Sequence, residues 1–263
     1  MNASNRVFYL CLALLGGTYV VLIVAMLVAD LRYTAPGNLV EALSSAEIRY
    51  AIRLSLVSCT ITTLLALWVA VPLGYLLART SFPGKAAVDT ILDVPIVLPP
   101  LVIGLSLLIL FQTGIGASIE HYLRFTFAVP GVILAQFMVS AAFAVRTMRV
   151  TFEQLSPRTE QVARTLGCSR HEAFWRVVLP EARPGLLTAA TLAWARALGE
   201  FGPILVFAGA TRMRTEVLPT TVFLELSVGR IEAAIAVSLL MIAAAAVVLV
   251  LTRLFGLRGT GLI

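Results

Sequence analysis

Six stretches of this chain, at about 7–29, 51–78, 91–112, 129–149, 185–210 and 232–255, are each apolar for the length of a bilayer crossing. A hydrocarbon core about 30 Å thick takes about 20 residues of helix to cross. Inside it every backbone N–H and C=O must be satisfied within the segment, as a helix does. The pattern therefore predicts an all-α integral membrane protein with six transmembrane helices. Hydrophobic residues make up 59% of the chain and charged residues 13%, whereas a soluble domain carries roughly 25% charged residues. The 263 residues fit one bundle and leave no room for a second large domain.

The first stretch contains Leu27-Val28-Ala29, a tolerable cleavage site, but its apolar run exceeds the roughly 7–15 residues of a secretory signal core. It reads as a retained span. The window 37–47 reads as a short amphipathic helix on the outer surface. With the N-terminus inside, twelve basic residues fall on the inner side: Arg6, Arg79, Lys85, Arg146, Arg149, Arg158, Arg164, Arg170, Arg176, Arg183, Arg253 and Arg258. Seven fall outside (Arg32, Arg49, Arg53, Arg124, Arg212, Arg214 and Arg230), and Arg196 lies within a span. Positive charge favours the cytoplasmic side, so both termini and the loop at 150–183 are expected in the cytoplasm. The net charge of +6 sits at span ends rather than on one face, which argues against nucleic acid. Cys11, Cys59 and Cys168 have no ligand spacing, so no metal site or disulfide is expected.

The loop at 150–183 is the one extended polar stretch, and local signals divide it into two short helices. Ser156-Pro157 is an N-cap with proline at the first helical position. Gly167 can stop that helix in the left-handed conformation. Ser169-Arg170-His171-Glu172 is a capping box for a second helix carrying Phe174, Trp175, Val177 and Val178, which Leu179-Pro180 is expected to end. The loop reads either as interfacial helices resting on head groups or as an elbow offering apolar knobs to another protein. Its spacing, Glu160-Gln161-Val162-Ala163, then Gly167, then nine residues to Val177-Val178-Leu179-Pro180, resembles the coupling loop of ABC-importer permeases, E-A-A-x3-G-x9-I-x-L-P. Gln161 stands at the Glu position, Val162 and Ala163 at the two Ala, and Gly167, Leu179 and Pro180 match. That resemblance marks Glu160, Gln161, Ala163, Gly167, Phe174, Leu179 and Pro180 as the ATPase-coupling residues. The chain has no G-x4-G-K-[ST] phosphate loop, so ATP and Mg would be bound by a partner subunit and no cofactor by this chain.

Two spans carry features beyond crossing. Span three holds Pro95, Pro99 and Pro100, which remove backbone donors. The break either lines a cavity or is a packing kink. Asp89 and Asp93 precede it, at the cytoplasmic interface. Span five holds Arg196 and Glu200, four residues apart on one helical face. Arg196 lies about 18 Å beyond Pro184 at the helical rise, a depth at which charges are costly and usually functional. The pair is either a structural tie or part of a gate, and Gly199, Gly202 and Pro203 beside it supply a hinge.

Ala195-Arg196-Ala197-Leu198-Gly199-Glu200-Phe201-Gly202, Leu98-Pro99-Pro100 with Gly104, and Leu54-Ser55 resemble permeases for molybdate, tungstate and sulfate. Arg214-Thr215-Glu216-Val217-Leu218-Pro219-Thr220 with Glu225 and Gly229 is more similar to the molybdate and tungstate members. The resemblance spans about 48–255, leaving 1–47 as an N-terminal helix with a short outer loop and 256–263 as a cytoplasmic tail. It implies an ABC type I importer permease fold with cytoplasmic coupling helices, in a bacterial inner membrane. It implies a homodimer, two ATP-binding cassette subunits and an extracytoplasmic oxyanion-binding protein as partners. Pro99, Pro100, Arg196 and Glu200 are then expected at the translocation pathway or gate, with no catalytic residue in this chain. Within that class the alternative is a sulfate or thiosulfate permease. An ion-coupled secondary transporter would need free titratable groups near the midplane, where Glu200 is the one clear carboxylate and has its own arginine. A membrane enzyme would need a nucleophile–base or metal constellation, but His121 and His171 fall on opposite sides.

Overall fold

Prolines and glycines decide where the helices of this protein stop. The computed structural model describes residues 3–33 and 36–259. In chain order its helices are α1 (Ala3–Tyr33), α2 (Pro36–Ser44), α3 (Ala46–Arg79), α4 (Lys85–Val97), α5 (Pro100–Gln112), α6 (Gly114–Tyr122) and α7 (Val129–Gln154). Then come α8 (Pro157–Thr165), α9 (Arg170–Ala173), a π-helical turn (Phe174–Val178), α10 (Leu179–Glu181), α11 (Arg183–Leu198), α12 (Gly202–Phe207), α13 (Leu218–Ser227) and α14 (Ile231–Gly259). The all-helical membrane architecture is the one the apolar runs predict.

Of the six expected spans, four are uninterrupted helices long and apolar enough to cross a membrane: Phe8–Tyr33, Ala46–Arg79, Val129–Gln154 and Ile231–Leu254. The other two are broken. α4 and α5 make a fifth crossing only as a pair, bent by 112°. Pro99 and Pro100 cannot donate to the preceding turn, and proline forces the residue before it out of the helical region. Leu98 and Pro99 are accordingly extended, with ψ 138° and 131°. Pro95, by contrast, sits inside α4 without ending it. The expected fifth span divides into α11, of 16 residues, and α12, of 6. The sixth span continues to Gly259, into the expected 256–263 tail, whose last residues 260–263 lie outside the described residues.

α3, α7 and α11 form the central three-helix core, with Ala66, Ala70, Ala144, Met148, Phe152, Ala189 and Ala193 buried between them. Small side chains let the helix backbones approach closely, which is how apolar helices associate where lipid removes any hydrophobic gain. A second core joins α5, α7 and α12 through Ile103, Leu107, Val132, Val139, Ile204 and Phe207. A third joins α3, α11, α13 and α14 through Cys59, Trp194, Leu198, Leu218 and Val237. The expected amphipathic segment is α2, which packs against α3 and α14. α1 meets α14 and buries no residue of its apolar window within the chain. The C-terminal ends of α3 and α7 gather with the polar loop 155–182 at one end of the bundle, the loop end. The N-terminal ends of α3, α7 and α14 lie with α13 at the far end.

Candidate functional site

The polar loop folds as the local signals dictate over its first half. The Ser156 hydroxyl caps α8 by accepting from the Arg158 N–H, with Pro157 at the first position. The helix closes in a Schellman turn. Gly167 N–H donates to Arg164 C=O, Cys168 N–H donates to Ala163 C=O, and Gly167 holds φ +95°. This satisfies carbonyls that the helix end would leave free. A Cβ at Gly167 would meet nothing within 4 Å, so the demand for glycine there is purely a backbone one. The capping box forms as expected. The Ser169 hydroxyl accepts from Glu172 N–H at 3.2 Å, and Glu172 Oε2 accepts from Ser169 N–H at 2.8 Å. The Ser169 backbone N–H holds the Glu172 carboxyl below the usual carboxylate range.

Over the second half the expectation is corrected: Leu179-Pro180 does not end the helix. Pro180 has no N–H, and the rod accommodates it with a π turn in which Leu179 N–H reaches back to Phe174 C=O. Helical structure then runs on through α10 towards α11. π turns of this kind occur as single insertions and are frequent at functional sites. Thr159 Oγ1 donates to Glu181 Oε2 at 3.1 Å, tying α8 to α10 across the elbow.

The loop presents two faces. Val162, Leu166 and Trp175 project outward, Leu166 with 80% of its surface exposed, and Gln161 is exposed beside them. Ala163 is buried, and Glu160 and Phe174 turn inward. Glu160 Oε1 accepts from the Tyr75 hydroxyl at 2.7 Å, and Arg79 Nε lies 3.9 Å from Glu160 Oε2. Arg79 also donates to Leu155 C=O at 2.9 Å. The Phe174 ring meets Tyr75 edge-on at 4.8 Å, and Tyr75 in turn meets Phe152 at 5.6 Å. The loop is thus joined to the end of α3 by an ionic clasp and an aromatic stack. Sequence reading missed Tyr75, Arg79 and Phe152. Tyr75 and Arg79 are four apart on one helical face, which was the available signal.

The four residues expected at the pathway split between two helix breaks that the fold brings into contact. A Cβ on Gly202 would lie 3.4 Å from Pro100 Cβ, and one on Gly104 would lie 2.8 Å from Pro203 Cα. The start of α5 therefore fits against the start of α12 because Gly104 lacks a side chain, and at Gly202 a Cβ would press on Leu101 N at 3.2 Å. Just before this junction, Arg196 NH1 and Glu200 Oε1 pair at 2.6 Å. The pair survives although α11 ends between its members: Glu200 lies past the helix, its N–H donating to Ala197 C=O. Arg196 sits in the last turn, where the helix dipole favours a cation, and its guanidinium carbon lies 5.7 Å from the Phe143 ring centre. Glu200 is 1% exposed and Arg196 31%. A cleft of about 560 Å³ runs between α7 and α11 on the loop side of the pair, walled by Phe143, Thr147, Thr151, Gly185 and Thr188.

Two further ionic clusters brace the ends. At the loop end, Asp89 pairs with Arg149 and Asp93 with Arg146, each at 2.6 Å, fixing α4 to α7. At the far end, Arg212 pairs with Glu47 of α3 and with Glu225 of α13, the latter at 2.8 Å. Glu216 beside it is fully buried, and burial pushes its carboxyl above the usual range. Ser55 Oγ accepts from Leu218 N–H at 2.8 Å. The motif residues around 214–225 thus form a cap that joins α3 to α13.

Comparison with known proteins places this geometry. Over 195 residues the chain is 40% identical to the molybdate/tungstate transport system permease protein WtpB of Thermococcus kodakarensis, covering 73% of this chain and 75% of that protein. Over 268 aligned positions it is 30% identical to the sulfate transport system permease protein CysT of Escherichia coli, covering 99% and 95%. Its fold matches a chain of a bacterial alginate ABC transporter, solved with a periplasmic protein carrying an alginate pentasaccharide, at a TM-score of 0.79 and 17% identity, covering 98% and 96%. Residues 70–258 match the family described as binding-protein-dependent transport system inner membrane component. An all-helical bundle with a loop-end elbow, two broken spans in contact and relatives of these kinds leaves one assignment: the chain belongs to that family, as the membrane permease of an ABC importer.

Proposed function

We propose that this permease carries a tetrahedral oxyanion, molybdate or tungstate, inward across a bacterial inner membrane. In this reading it works as a homodimer with two ATP-binding cassette subunits, which bind ATP and Mg, and with an extracytoplasmic binding protein that delivers the ion. The loop end, and with it both termini, faces the cytoplasm.

The observation that carries the reading is the joining of the elbow to α3. Outward-facing Val162, Leu166 and Trp175 offer an ATPase subunit an apolar foothold. Inward-facing Glu160 and Phe174 pass its displacement to Tyr75 and Arg79. Since α3 and α11 both pack on α7, a push at the elbow reaches the junction of the two helix breaks, where a small shift changes which side is open.

The chemistry at the junction suits passage rather than capture. A lone buried arginine would hold a dianion tightly, whereas conduction requires that it leave. Arg196 is largely neutralised by Glu200 at 2.6 Å, so a passing oxyanion meets donors without a deep trap. Molybdate and tungstate are favoured over sulfate by the higher identity to the molybdate/tungstate relative. Sulfate is the second reading, because the sulfate relative aligns along almost the whole chain. The test is uptake of labelled molybdate into proteoliposomes holding the permease, its ATPase and its binding protein, with unlabelled competitors. Competition by tungstate and not by sulfate is expected. Uptake of labelled sulfate in preference to molybdate overturns the substrate assignment.

A further inference from the structure

At the point where α11 stops, the structure holds a polar side chain that no motif announces. Gln136, in the N-terminal half of α7, is 1% exposed. Its Nε2 donates to Ala197 C=O at 3.2 Å and lies 3.6 Å from Cys59 Sγ, while its Oε1 accepts from the Thr62 hydroxyl at 3.2 Å. One amide thereby joins α3, α7 and the last turn of α11. Ala197 separates Arg196 from the break, and its carbonyl also receives the N–H of Glu200. Both lone pairs of this oxygen are therefore occupied, one of them from a neighbouring helix.

Carbonyls in the last turn of a helix lose their intrahelical partners, and inside a bilayer no water replaces them. Without Gln136 that carbonyl keeps only the Glu200 N–H, and the turn at 198–202 loses its tie to α7. With it, ending at Leu198 is stabilised, and Glu200 is turned out of the helix yet kept beside Arg196. We propose that Gln136 is a positioning residue: its amide holds the break of α11 in place, and through that break sets the Arg196–Glu200 pair against the start of α5. This rests on the reading of the pair as part of the transport pathway.

Gln136→Met tests it, because an unbranched side chain of similar length keeps the packing and removes the amide. No buried group is orphaned. Thr62 still has Ile133 C=O at 3.3 Å, and Ala197 C=O still has the Glu200 N–H. A purely structural Gln136 would therefore lower the yield of assembled complex at most, reducing uptake and ATP hydrolysis together. The measurements are hydrogen exchange of the 198–202 backbone and oxyanion imported per ATP hydrolysed, both on the complete permease–ATPase complex with its binding protein. Exchange is expected to rise, and import per ATP to fall, by about fivefold, the shift in populations that one neutral hydrogen bond supports. Unchanged exchange, or an unchanged ratio with normal assembly, overturns the proposal. If the unmutated complex imports no oxyanion at all, the substrate assignment fails instead, and the exchange comparison alone decides whether Gln136 holds the break.

Discussion

Removing the members of the Arg196–Glu200 pair one at a time has unequal consequences, and the inequality follows from burial. At 2.6 Å with an effective dielectric constant of about 20, the attraction is about 6 kcal/mol, set against the cost of taking Glu200 out of water. Arg196→Ala leaves a carboxylate that is 1% exposed with no counter-charge, and breaking a buried pair this way typically costs about 3–5 kcal/mol. Glu200→Ala leaves an arginine that is 31% exposed and still rests on the Phe143 ring. Its cost should be smaller, about 1–2 kcal/mol. The double variant has no unpaired charge and should recover most of the assembly lost in Arg196→Ala. Placement of the pair in the pathway adds a second expectation: the double variant assembles but transports poorly or hydrolyses ATP without uptake. Yield of assembled complex, thermal stability and uptake for the three variants supply the assay. Equal costs for the two single variants would refute the burial argument. A double variant that transports like the unmutated protein would reduce the pair to a structural tie.

Three other perturbations follow from the same geometry. Gly167→Val should insert and assemble normally but lose ATP-driven uptake, since a β-branched residue is a genuine outlier at positive φ; Gly167→Asn, which tolerates that conformation at a penalty below about 1–2 kcal/mol, should keep most of it, and equal uptake by all three proteins would make Gly167 a mere linker. Tyr75→Phe keeps the aromatic stack and deletes the hydroxyl bonded to Glu160, a contact to a charged acceptor worth about 1.5–3 kcal/mol. It should lower uptake severalfold at unchanged complex yield, and unaltered uptake would remove the clasp from the transmission path. A cysteine at Ser118 should react with an impermeant reagent in intact cells and one at Ser169 only after permeabilisation; the reverse pattern would invert the orientation and detach the elbow from any cytoplasmic ATPase.

What could be read from the chain follows the range of the forces involved. The Ser156 cap, the Gly167 turn and the Ser169–Glu172 box each depend on residues within a turn of one another, and all three form as their sequence signals predict. The four uninterrupted spans were visible because lipid imposes an apolar run on each. Arg196 and Glu200 were placed together by helical spacing, although the spacing gave no sign that the helix ends between them. The failure at Leu179-Pro180 has a local cause: proline was read as a stop, but a single π turn reroutes the missing hydrogen bond. Contacts between distant segments were out of reach. Tyr75 with Glu160, Gly104 against Pro203 and Gln136 on Ala197 depend on how α3, α5, α7 and α11 pack, which no single stretch encodes.

ATP hydrolysis outside this chain is proposed to drive oxyanion passage through it. The most direct measurement is molybdate uptake into proteoliposomes containing the permease, its ATPase and its binding protein, with ATP inside, compared with the same vesicles under proton or sodium gradients without ATP. Uptake is expected to require ATP, the ATPase and the binding protein together, with no ion gradient able to replace ATP. Uptake driven by a gradient in the absence of ATP would contradict this.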